Sequence, residues 1–504
     1  MSEKHDLLIL PNQRDSSMVL SETRSSLAAR GRKDAADLKV AYKELLCLAA
    51  VKLDGKWGFI DKAGKFVIEP LYGYVGKFCE GRVSFTKGSL SFKTVPYSHG
   101  PGLCSGFYSN CLWGYLDTEG KILVEPSFEE ASDFSEGMAR VGIDGMFGFV
   151  SKDGRIAIEP RFLEARKFDG GLSIVLVEGR WEIDKDSDIG SRMLVDGTWA
   201  LIDKNGNFRG KSRFEEIENF VDGFACAKQD NKFGFIDRSG EFVIAPRFDQ
   251  ACSFHEGLAR IWIKEGCGII DRSGEFVLDP IYSSIDDFEE GTARASIDGV
   301  DLLVDCHGEI RFRGDKDNEE ICDFNYGVAM VRSGSGNSFY IDRTGKRLTD
   351  ASMEAMDHEF REGRGLVRRS GRLGYIDEHG KLVIDTKFVQ AGVFHRGHTS
   401  GSIDGGKRER IDRFGNFVSL PRWHSRKDLH EGLIRFELDR LRKWGFTDES
   451  GVEIIEARFE RVGNFSQGLA FVQDESRKWG VIDRSGNFVI PTRFEDAGDF
   501  QIVG

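Results

Sequence analysis

Six of the ten histidines fall between residues 358 and 430: His358, His379, His395, His398, His424 and His430. The same stretch is basic. Residues 361–427 carry 15 Lys and Arg against 7 Asp and Glu, a net of +8 in a chain whose overall charge is −13. Two chemistries would use such residues. His395-x-x-His398 could ligate a metal, but a strand spacing of three places the two side chains on opposite faces. Arg408 and Arg410 lie two apart, so in a strand they point the same way. With Arg368, Arg369, Arg372 and Lys407 they would make a basic surface for an acidic protein or a phosphate-bearing ligand. The same residues would serve equally as a solvated face that balances acidic neighbours.

Other candidates are weaker. Cys104 and Cys111 have no second ligand pair nearby. The nine cysteines include no C-x-x-C, which points to a reducing compartment and away from a disulfide framework. The glycine-rich stretch Arg332–Ser338 sits where a hairpin loop is expected, and phosphate binding there is the lesser reading. No activated nucleophile, phosphate-binding loop or dinucleotide fingerprint occurs. The expectation is therefore no catalytic residue, no metal and no cofactor. An acidic chain is a poor nucleic-acid binder, no apolar run is long enough to span a membrane, and the first residues lack the order of a secretory signal. A cytoplasmic location follows as an expectation.

The elements that hold these residues repeat. D-x-x-G recurs from Asp61–Gly64 to Asp483–Gly486, with Ser151–Gly154 filling one place, to give twelve units. Nine of the eleven Gly-to-Gly spacings lie between 34 and 37, and the other two mark insertions at 87–112 and 178–198. A second mark, E-G, follows at Glu80, Glu136, Glu256, Glu290, Glu362 and Glu431. A helical repeat of this length is excluded by the interior glycines. Asp at the first turn position binds amides further along, and Gly at the fourth takes the left-handed conformation, so each mark reads as a β-hairpin. Basic residues in the turn (Lys62, Arg238, Arg272, Arg484) argue against a calcium loop. Pro70, Pro126, Pro160, Pro246, Pro280 and Pro491 are read as closing the strand that follows.

Before each D-x-x-G stands an aromatic residue and a glycine. Trp57, Trp113, Trp199, Trp444 and Trp479 occupy the first place, with Phe147, Phe233, Cys267 and Leu373 as substitutes. Exchange among apolar types suits packing rather than chemistry, so the tryptophans read as core anchors. The pattern K-W-G-[FVY]-[IL]-D-x-x-G resembles the WG (or KWG) repeat family, widespread in bacterial proteins, over residues 49–504. That resemblance implies a β-rich interaction module without catalytic residues. Asp301, Ser338 and Arg408 depart at the aromatic place. Leu302, Phe339, Glu409 and Ala200 depart at the glycine.

Three short strands per unit cannot bury their apolar faces alone, so neighbouring units must stack. The expected fold is all-β: about twelve units of roughly 34–36 residues in an open array or superhelix, with one or two β-propellers as the alternative. The leading strand "LAAVKL" is read as giving the first unit its own first strand, hence whole units without exchange between the chain ends. Residues 1–33 read as a disordered tail, 34–48 as an amphipathic capping helix, and 49–504 as the repeat domain. The expected function is a non-enzymatic, cytoplasmic scaffold for a protein partner. The alternatives are an enzyme with its site in the insertions (Tyr97, His99, Cys104, Tyr108) and a glycan-binding module that uses exposed aromatics.

Overall fold

The computed structural model describes residues 46–503 apart from 89–110, 184–191, 317, 335–336, 396, 419–422, 439–441 and 449–451. All regular elements among them are β-strands, arranged as twelve small antiparallel sheets. In chain order the sheets span 47–72 (sheet 1), 74–128 (2), 130–162 (3), 164–214 (4), 216–248 (5), 250–282 (6), 284–313 (7), 319–342 (8), 354–388 (9), 390–418 (10), 423–459 (11) and 461–494 (12). Contacts divide the chain into two compact units, one holding sheets 11, 12, 1 and 2, the other sheets 3 to 10.

Sheet 6 shows how the sequence builds a sheet. Its strands are Gln250–Ala251, Leu258–Ile263, Gly266–Asp271 and Phe276–Tyr282. Four strands, not three, make the unit, because a two-residue strand precedes the E-G turn. Glu256 and Gly257 are both left-handed, at φ +51° and +81°. His255 and Leu258 close the turn with paired backbone bonds of 2.8 and 3.0 Å. This is the tight hairpin whose twist matches that of the strands. At the next turn Asp271 Oδ1 accepts the amides of Ser273 (2.8 Å) and Glu275 (3.1 Å), as the D-x-x-G pattern predicts.

The glycine of Trp-Gly answers a bulge in the facing strand. Trp57 pairs with Tyr72, and Phe59 with Ile68, so two steps on one strand oppose four on the other. A Cβ on Gly58 would lie 2.5 Å from the Ile68 carbonyl oxygen and 2.7 Å from the Pro70 nitrogen. The prolines therefore do not close the strand as expected. Pro70 lies inside Phe66–Tyr72, at the bulge, where a missing N–H costs no ladder bond.

The cores lie between consecutive sheets. Sheets 3 and 4 share Phe149, Phe162, Phe168 and Val175, and sheets 11 and 12 share Phe446, Phe459, Phe465 and Val472. The residue two after the Trp position is the deep one: Phe59, Phe149, Phe235, Tyr375 and Phe446 are all at most 3% exposed. Four of them meet a phenylalanine of the next sheet edge to face, at 4.8 Å (Phe59–Phe78), 4.7 Å (Phe149–Phe168), 4.8 Å (Tyr375–Phe394) and 4.7 Å (Phe446–Phe465). Burying each such side chain is worth about 1.5–3 kcal/mol. The tryptophans Trp57, Trp113, Trp199, Trp444 and Trp479 are half-buried at the margin of these cores.

Two expectations are corrected. Strand Cys47–Leu53 pairs antiparallel with Asp496–Ala497 and with Gln501–Ile502, so sheet 1 is built from both chain ends. Four-stranded sheets with shared terminal strands are the β-propeller alternative rather than whole units in an open array. Of the predicted helix 34–48, residues 34–45 lie outside the described residues, as does the tail 1–33, while Cys47 and Leu48 already belong to a strand.

Candidate functional site

The polar residues that recur from unit to unit are the first candidates for chemistry, and most of them join one sheet to the next. The E-G glutamate accepts amides from the same turn of the following sheet. Glu136 takes Gly170 and Gly171 at 2.6 and 2.8 Å, Glu256 takes Glu290 and Gly291 at 3.0 and 2.9 Å, and Glu431 takes Gln467 and Gly468 at 2.7 and 2.9 Å. A base in the second place of the next D-x-x-G turn reaches back: Lys204 to Glu136 (3.3 Å), Arg272 to Asp222 (3.2 Å), Arg343 to Glu290 (2.8 Å). An arginine three residues after the E-G glycine donates to a carbonyl of the next sheet, as Arg140 does to Ala165 (3.3 Å) and Arg294 to Ile321 (2.8 Å). An arginine late in the fourth strand caps the next D-x-x-G glycine, as Arg161 does at Gly206 (2.7 Å) and Arg458 at Gly486 (2.6 Å). The sequence marks these residues by their period, but their partners lie a whole unit away, so the role stays hidden until the sheets are stacked.

The basic residues singled out from the sequence lie on sheets 9 and 10. Arg368 pairs with Glu354, and Arg369 with Asp350 at 2.7 Å. Arg372 donates to the carbonyls of Ile403 (2.6 Å) and Lys387 (3.2 Å), which anchors the loop 403–408. Lys407 and Arg408 stand exposed in that loop, and Arg410 is half-buried opposite Ser400. Burial pushes the Tyr375 phenol up to about 12, and the Arg408 charge pulls it the other way. Arg408 is thus near enough to sheet 9 to be felt there. The structure brings Arg372 and the Lys407–Arg408 loop together and spends Arg368 and Arg369 on neighbouring acids.

His395 and His398 flank the turn of one hairpin, joined by backbone bonds of 2.7 and 3.4 Å. Residues paired across a two-residue turn share a face, so the expectation of opposite faces was wrong. The reason is that the spacing of three spans a turn and not a strand. Among the described residues no group of three or more His, Cys, Asp or Glu is placed to hold a metal ion.

The insertions differ from each other. Of 87–112, residues 89–110 lie outside the described residues, and with them Tyr97, His99, Cys104 and Tyr108. The second insertion lengthens a hairpin. Leu172–Ile183 and Arg192–Asp203 run antiparallel, with Trp181 exposed opposite Leu194.

The family described as WG containing repeat matches nine stretches: 57–90, 113–146, 147–181, 199–233, 233–261, 268–300, 374–399, 444–476 and 479–501. No curated protein matches the sequence. Among solved structures, BamB from Moraxella catarrhalis is 12% identical, with 48% of this chain and 89% of that chain covered, at a TM-score of 0.20. Hsv2 from Kluyvelomyces marxianus is 10% identical, covering 52% and 97%, at a TM-score of 0.24. PorZ, a surface component of the type-IX secretion system of Porphyromonas gingivalis, is 11% identical, covering 89% and 74%, at 0.20. With scores this low, no property of these proteins is transferred to the chain.

Proposed function

Because the chain belongs to the family of WG containing repeats, we propose that it is a non-enzymatic scaffold that presents its sheet surfaces to a protein partner, in the cytoplasm of a bacterium. The observation that carries this reading is how the repeat spends its polar groups. The recurring glutamate, arginine and aspartate are committed to turns and to the next sheet, as Glu256, Arg294 and Asp271 show. Recognition is then left to positions that vary from unit to unit. The loop 403–408 with Lys407 and Arg408 is such a position, and an acidic partner fits its charge.

The test is recovery of partners on the immobilised protein with glutamate in place of Arg368, Arg369, Arg408 and Arg410. The reading expects a protein that the parent chain retains and the variant loses, with the circular dichroism spectrum unchanged. Equal recovery on both would reject the basic surface. Turnover of a small substrate by the purified chain would reject the scaffold.

A further inference from the structure

The joints between sheets are not uniform, and within the second unit one seam lacks all four kinds. At the junction of sheets 8 and 9 the E-G position holds Tyr326, which has no carboxylate to offer and is 66% exposed, although its φ of +54° keeps the glutamate's left-handed conformation. The base of the following D-x-x-G turn is replaced by Glu378. Met330 stands where Arg140 and Arg294 reach the next sheet. Sheet 8 has three strands, so there is no fourth-strand arginine to cap Gly380. These four absences concern described residues, and within the second unit they coincide only at this seam; in the first unit the seam of sheets 1 and 2 shares them, with Ile502, Thr118, Ala50 and Leu71 at the four places.

Other contacts span it. Phe360 and Val367 pack with Met330, Tyr340 and Leu348 in a shared apolar cluster. The Tyr340 hydroxyl donates to the carbonyl of Asp357 at 2.7 Å, with Leu366 O at 3.2 Å. Ala355 N–H donates to Ser338 O at 2.8 Å. Half-buried Arg369 meets the exposed Asp350 at 2.7 Å. Apolar contact is non-directional and tolerates small sliding, whereas amide-to-carboxylate bonds fix the register of two sheets. At the clamped seams of the second unit the turn margin is pinned as well as the core. Here only the core and the segment around Tyr340 are.

We infer that the seam between sheets 8 and 9 is a hinge built into the second unit, about which the sheets swing with the Tyr340 hydroxyl near the pivot. The replacements at Tyr326 and Glu378 belong together: at this seam the turn offers no acid and the facing position carries no base. Small hinge or shear displacements of this kind need few residues and leave the packed interior intact. The inference stands apart from the scaffold reading, since a hinge could serve any function.

Hydrogen exchange on the whole chain tests it. Residues 353–357, which hold the cross-seam Ala355 amide, should exchange faster than the equivalent residues 283–287 at the clamped seam of sheets 6 and 7, by about tenfold or more. Installing the missing joint with Tyr326→Glu and Glu378→Arg together should slow exchange at 353–357 by about the same factor and leave 283–287 unchanged. Glu378→Arg alone, with no acid to meet, should change nothing. Equal exchange at the two seams of the parent chain would overturn the hinge. Faster exchange that the double variant fails to slow would overturn its assignment to the missing joint.

Discussion

Sheets 6 and 7 and sheets 8 and 9 are neighbouring pairs built by different rules. The first pair is joined by Glu256 on two amides and by Arg260 on the Ile285 carbonyl. The second is joined by a tyrosine hydroxyl and an apolar cluster. Both have a packed interior. The family pattern matches 268–300 and falls silent until 374. The repeat signature therefore records the joints more than the core. A core needs only apolar residues of about the right volume, while a joint needs one functional group at one place.

The glycine of Trp-Gly makes the same point. Gly58 faces a bulge and has no room for a Cβ. In sheet 7 Leu302 holds that place, and its pairing with Arg313, followed by Leu303 with Phe312, shows no bulge there. The departure is compensated in the facing strand.

The largest effect should come from the interior. Phe235 is fully buried against Phe254 at 4.7 Å, and Phe235→Ala should cost about 3–5 kcal/mol in chemical denaturation. Tyr340→Phe, which keeps the volume and removes only the hydroxyl, should cost about 1–3 kcal/mol, read as faster exchange at 353–357. Equal losses from the two would erase the distinction between the seams. Next in size, Gly58→Ala should cost about 1–3 kcal/mol, because the facing carbonyl and proline must move. Leu302→Ala at the matching place should cost only its lost packing. Smaller still, Glu256→Gln should cost about 1 kcal/mol, with faster exchange confined to the turn at 289–292.

The smallest effect is acid dependence. The Ser273 hydroxyl, helped by the Ser273 and Glu275 amides, holds the Asp271 carboxyl below its ordinary value of 3.8, against burial that acts the other way. The Ser239 hydroxyl does the same for Asp237. A carboxyl whose folded pKa is depressed stabilises the fold fully above the unfolded value and loses that contribution as the pH falls through the folded one. Asp271→Asn should therefore lower stability at neutral pH and flatten its decline below about pH 4, followed by denaturant titrations across that range.

Much of this was legible in the sequence. The D-x-x-G turns follow from residues four apart, and local chemistry suffices to read them. That strands Leu172–Ile183 and Arg192–Asp203 run on into the second insertion is not legible, since "EGRWEID" mixes charge with apolar residues. Terminal exchange is not legible while "LAAVKL" is read as completing the first unit. The tail Glu495–Phe500, "EDAGDF", repeats "EEASDF" at Glu129–Phe134, which marks it as the opening of a unit whose remaining strands lie at the other end of the chain. The joints were out of reach because each needs a partner a full repeat away.

One joint crosses the chain ends. Arg493 caps Gly64 at 2.9 Å as Arg458 caps Gly486, so the rule that links consecutive sheets also links last to first. The direct test is a cysteine pair at Lys52 and Asp496, which are Cα partners in sheet 1. Oxidation of Lys52→Cys with Asp496→Cys should lock the ends together, seen as a reductant-sensitive gain in gel mobility that neither single variant shows. A double variant that stays uncrosslinked under oxidant would contradict the shared terminal sheet.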